Sequence, residues 1–136
     1  MAIIKIDYGE LNIAMTSTVL WTNSSPTSTM TSGTTISLSE SIDNFNYIGI
    51  EYKRYMSDSS TSQIIVTPED LKKSVSSSDV TKVALGAYYN SARYDRAINY
   101  DNNTQLSVTS SQSVGSSTTQ NGSNLPIKVI GYKWIN

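Results

Sequence analysis

Isoleucine, valine, threonine and tyrosine are gathered in short alternating runs, and clusters of serine, asparagine, aspartate and glycine separate one run from the next. Alternation with a period of two puts apolar side chains on one face of an extended strand, and the turn-forming clusters stop each strand after a few residues. Such a chain folds as several short strands, not as long helices. More than a quarter of the 136 residues are serine or threonine, which favour turns, edges and solvent-facing strand positions.

The clearest strand is Tyr47–Met56, where Ile48, Ile50 and Tyr52 form an apolar face and Gly49, Glu51 and Lys53 a wet one. Lys82–Tyr89 places Val83, Leu85, Ala87 and Tyr89 on one side. In Ile127–Ile135 both faces are largely apolar, so that run belongs inside a sheet, not at its edge. Weaker strands are expected at Ile13–Trp21, Thr34–Ser39, Gln63–Val66, Tyr94–Tyr100 and Thr104–Thr109. The expected fold is therefore all-β: an antiparallel β-sandwich of about eight strands with one short helix.

The helix signal begins at Thr67-Pro68-Glu69-Asp70, a capping threonine, a proline suited to the first helical position and two carboxylates for the positive end. It continues through Leu71, Lys72 and Lys73 for about two turns and ends at Ser76–Ser78. Residues 1–12 carry a separate apolar alternation at Ile4 and Ile6 and then an expected turn at Asp7-Tyr8-Gly9-Glu10. They read as an N-terminal arm or an added strand, ahead of a single sandwich domain at 13–136. Ser110–Asn124 is polar except for Val114 and reads as a long flexible loop.

Composition narrows function by exclusion. The chain has no cysteine and no histidine, which removes disulfides, thiolate sites and the residue most used for acid–base work and metal ligation. A charged fraction of 15 % with net charge −1 favours neither nucleic acid nor an anionic membrane. No apolar run reaches the roughly 20 residues of a membrane-spanning helix, and the start lacks the pattern of a secretory signal. Membrane insertion and export by that route are not expected. The eleven carboxylates are scattered, no phosphate-binding glycine loop is present, and Asp101-Asn102-Asn103-Thr104 reads as a turn rather than a cation loop. No catalytic, cofactor-binding or metal-binding residue is assigned, and no enzymatic activity is expected.

Aromatics are more informative, with nine tyrosines and two tryptophans against one phenylalanine. Tyrosine has an apolar face and a polar tip, which suits sugar stacking and subunit interfaces. The densest cluster is Tyr88–Arg96, and Tyr88, Asn90, Arg93, Tyr94 and Arg96 are the candidate ligand or partner contacts. The bland alternative sends alternate residues of that cluster inward and leaves Arg93, Asp95 and Arg96 as surface pairs. Trp21 and Trp134 are expected as core or interface anchors.

Leu20-Trp21-Thr22-Asn23-Ser24-Ser25-Pro26-Thr27-Ser28, Thr34-Thr35-Ile36-Ser37-Leu38-Ser39 and Tyr47-Ile48-Gly49-Ile50-Glu51-Tyr52-Lys53 resemble segments of tail-fibre and receptor-binding proteins of phages infecting Gram-positive bacteria. Ile127-Lys128-Val129-Ile130-Gly131-Tyr132-Lys133 is similar to the closing strand of those domains, and Asp7-Tyr8-Gly9-Glu10-Leu11 to starts seen in phage structural proteins. Together these segments cover about a third of the chain; it departs from the pattern at Ser57–Val80 and lacks a long fibrous repeat. The resemblance implies a shoulder-type β-sandwich in the virion, at or near the tail tip and typically trimeric. Its implied partners are other tail proteins, copies of itself in a homotrimer and host cell-wall saccharide. Its implied location is the virion tail, with the host cytoplasm before assembly. A carbohydrate-binding module acting on cell-wall saccharide is the alternative.

Overall fold

A computed structural model describes residues 2–8, 11–74, 83–116 and 118–135. Two antiparallel sheets pack face to face. The first, sheet A, has the order β1 (Ala2–Tyr8), β2 (Leu11–Thr22), β10 (Ser123–Ile135), β4 (Tyr47–Tyr55), β5 (Ser62–Val66). Sheet B has the order β3 (Thr35–Ser37), β8 (Gln105–Val108), β7 (Ala92–Asn102), β6 (Val83–Tyr89), with the two-residue strand β9 (Gln112–Ser113) beside β7. Among the described residues a single α-helix, α1 (Pro68–Lys72), lies between β5 and β6.

The alternations in the sequence explain the core. Ile48, Ile50 and Tyr52 of β4 meet Leu20, Leu125 and Val129 from sheet A and Ile36, Leu106, Val108, Ile98, Val83 and Leu85 from sheet B, all buried in one cluster. Burying side chains of this size stabilises the fold by roughly 1.5–3 kcal/mol each. The Tyr52 hydroxyl crosses between the layers and donates to the Gly86 carbonyl at 3.1 Å. As its two apolar faces require, β10 lies inside sheet A, paired with β2 on one side and β4 on the other.

Among the described residues ten strands form where about eight were expected. Seven of the eight expected runs lie within one to four residues of the observed strand ends. In the eighth, Lys82 lies outside the described residues and β6 is described from Val83. The first addition is β1, which pairs with β2 from Ala2↔Ser17 to Tyr8↔Leu11 at the sheet edge, so these residues are an added strand. Asp7 and Tyr8 belong to that strand instead of a turn, and Gly9 and Glu10 lie outside the described residues. The second addition, β9, falls in a polar run with no alternation to mark it.

That polar run is not the free loop its composition suggests. Gln112 and Ser113 pair with Asp95 and Tyr94, Gln112 also bridges to Thr119, and Ser111, Ser123 and Asn124 are buried. Backbone pairing and buried side-chain hydrogen bonds outweigh the polarity of the segment.

Thr67 caps α1 as expected, its hydroxyl accepting from the Asp70 amide, and Leu71 is buried. The helix stops at Lys72 and is shorter than two full turns; Ser76–Ser78 lie outside the described residues. Ser74, fully buried, accepts from the Val83 amide and donates to the Ile98 carbonyl, tying the helix end to β6 and β7.

Candidate interaction surfaces

The five residues singled out in Tyr88–Arg96 do not share a face. β6 and β7 form a hairpin whose two turn residues, Asn90 and Ser91, have φ of 48° and 64°, the left-handed pair of a two-residue hairpin. Alternation along β7 then divides the cluster. Arg93 points outward with Tyr88 as its register partner, and Asn90 is exposed at the turn. Tyr94 is buried, and Arg96 is fully buried. Neither can meet an outside partner as the chain stands, so the contact assignment is corrected for both.

Arg93 and Asp95 do form the expected surface pair, at 3.1 Å. They lie across Gly86, where an added Cβ would come within 2.7 Å of the Arg93 guanidinium and 2.9 Å of the Asp95 carboxylate. Tyr88, Arg93 and Asp95 thus make a small polar platform on the outer face of sheet B.

Arg96 is not a surface pair but a clamp. One terminal nitrogen donates to the Met30 and Thr109 carbonyls at 2.8 Å each; the other donates to Asn121 at 3.0 Å and Ser123 at 3.2 Å. Three separate loops are thereby fastened to the middle of β7. Burial pushes the guanidinium down to about 10, which leaves it charged at neutral pH. Tyr94 and Ile98 flank Arg96 at the same parity, and that alternation signals an inward arginine.

A larger surface lies on the opposite layer. The outer face of sheet A holds a trough of about 410 Å³ lined by Ile4, Met15, Tyr47, Gln63, Ile65, Tyr132 and Trp134. Register explains how five strands contribute. Ile4 faces Met15, Met15 faces Trp134, Tyr132 faces Tyr47, and Ile65 faces Gly49. Tyr47 and Trp134 meet edge to face at 5.9 Å, and Gln63 donates to the Tyr132 hydroxyl at 2.7 Å.

Gly49 gives the trough its floor. A Cβ there would lie 2.0 Å from the Gln63 amide nitrogen and 2.8 Å from the Tyr132 ring, so only glycine leaves space for the Gln63–Tyr132 pair. Val19 and Ile65, 52 % and 59 % exposed, extend the apolar area to either side of the strands that carry it. The sequence shows this surface only indirectly, through the two apolar faces of β10.

Of the two tryptophans, Trp21 packs against the core and Trp134 belongs to the trough. Of Asp101–Thr104, Asp101 and Asn102 end β7, and Asn103 and Thr104 make the turn to β8, with the Asn102 side chain accepting from the Thr104 amide. Among the described residues, no three His, Cys, Asp or Glu side chains converge to hold a metal ion, and no helix is long and apolar enough to cross a membrane. No protein-family model matches the chain, and no curated protein matches its sequence.

Proposed function

We propose that this chain is a non-enzymatic structural module of a phage tail, at or near the tail tip, which links tail components or contributes to host-surface adsorption. The observation that carries the reading is the apolar outer face of sheet A. A sandwich already has its core between the sheets, so Ile4, Val19 and Ile65, exposed on an outer face around the trough, contribute little to the isolated domain. Such a surface is stabilised by covering it with protein.

The phage setting draws support from the resemblance of five segments. Two of them lie on the paired strands β4 and β10 of sheet A, and a third begins at the end of β2. In this reading the protein works in the virion tail and passes through the host cytoplasm before assembly. Its partners are other tail proteins.

A second reading, a carbohydrate-binding module for host cell-wall saccharide, is favoured by one feature. Tyr47, Tyr132 and Trp134 share the trough with the Gln63 amide, a combination of rings and a polar group that suits a sugar. The Tyr132 hydroxyl already accepts from that amide, which leaves the trough chiefly apolar and ranks protein docking first.

Immunogold microscopy of particles purified from the source culture tests the proposal. Label on the tail is the expected result. Protein recovered only in the soluble fraction, with none on particles, would overturn it. Retention of the purified chain on isolated cell walls, lost in Trp134→Ala, would favour the saccharide reading instead.

A further inference from the structure

Resting on the reading of this face as a docking surface, we infer that its occupant is a second copy of the same chain, related by a twofold axis that runs parallel to the strands between β10 and β4. The inference begins with two charges. Lys128 and Glu51 are register partners on those two strands. Glu51 is also the register partner of Gln63, which lines the trough, so both charges belong to the trough face. Although they are neighbours, they form no ion pair in the single chain: among the described residues no carboxylate lies within ion-pair distance of Lys128, and Glu51 accepts from the Thr61 hydroxyl at 2.8 Å.

A twofold between the two strands exchanges β10 for β4. It brings Lys128 of one copy to Glu51 of the other, and does so twice. The same operation lays Tyr132 over Tyr47 of the second copy and keeps apolar groups against apolar groups. Self-complementarity of this kind is the mark of an isologous interface. A threefold contact uses two different patches and gives no reason for opposite charges to sit side by side on one.

The area fits a weak contact. Strands lie about 4.8 Å apart and advance about 3.4 Å per residue. The axis between β10 and β4 lays β2 of one copy over β5 of the other and leaves β1 outside the overlap. A face four strands wide and seven residues long, from the Lys128–Glu51 row to Trp134, spans roughly 19 Å by 24 Å. Two copies would bury about 900 Å² in total, at the low end where interfaces are transient. A weak, concentration-dependent dimer follows.

Sedimentation velocity of the full chain over micromolar to sub-millimolar concentrations provides the test, with circular dichroism to confirm folding of each variant. The wild type is expected to pass from monomer to dimer. Glu51→Lys and Lys128→Glu, each alone, place like charges together twice and should weaken association at least about tenfold. An equimolar mixture of the two folded variants should recover it, because only the heterodimer restores both pairs. A wild type that stays monomeric throughout, a trimer, or a mixture that associates no better than either variant alone would overturn the inference. Tail labelling together with a monomeric chain would defeat this inference and leave the proposed function standing.

Discussion

At the residue scale, the fold depends on one charge that its sequence places among surface residues. Arg96 is fully buried, and its terminal nitrogens donate to four carbonyls, of Met30, Thr109, Asn121 and Ser123. Arg96→Met fills much of the same space but takes the guanidinium donors from the Met30, Thr109 and Ser123 carbonyls, while Asn121 still accepts from the Met30 amide. Losing such a network costs about 3–5 kcal/mol. Urea unfolding should show a drop of that order for Arg96→Met and less than about 0.5 kcal/mol for Arg93→Ala, whose side chain is half exposed. Equal effects would mean that Arg96 does not hold the loops. The parity of Tyr94, Arg96 and Ile98 makes the inward position readable from the sequence. Its four acceptors are not readable, because Met30, Thr109, Asn121 and Ser123 are brought together only by tertiary structure.

At the scale of elements, the strands with clean alternation were the legible ones. Ile48, Ile50 and Tyr52 fix β4, and Val83 and Leu85 fix β6, since one face of each is buried and a one-residue slip would expose it. Ser110–Asn124 was illegible for the opposite reason. It is ordered by Arg96, by the Ser111–Ser123 hydroxyl contact and by Asn124, whose side chain donates to the Tyr94 carbonyl from a backbone with φ of 48°. None of these leaves a periodic trace. β1 stands between the two cases: its alternation is visible, but whether it pairs at home or abroad depends on β2. Its ladder is to β2 alone, and Ala2–Lys5 are exposed. Removing residues 1–8 should therefore leave the sandwich folded, with a native-like circular dichroism spectrum, while taking Ile4 from the trough. Loss of folding would show that β1 supports the core.

For the whole molecule, the sandwich was expected from the pattern, and the apolar outer face of sheet A was not. Sequence alternation distinguishes inside from outside for a strand with one apolar face. For β10, apolar on both, it shows only that something covers each side. Sheet B covers one. The other holds Met15, Tyr132 and Trp134 beside Ile4 and Ile65, and five strands must be in register before these residues become neighbours. The chain has no cysteine, so a single introduced thiol reports its own surroundings. The most direct measurement is the labelling rate of Ile65→Cys on sheet A and Tyr88→Cys on sheet B, each in the isolated full chain and in the assembled particle. Both positions are exposed in the single chain, at 59 % and 65 %. Docking through sheet A predicts that Cys at 65 becomes protected on assembly while Cys at 88 keeps its rate. Protection at 88 with 65 unchanged would contradict it and move the docking face to the other sheet.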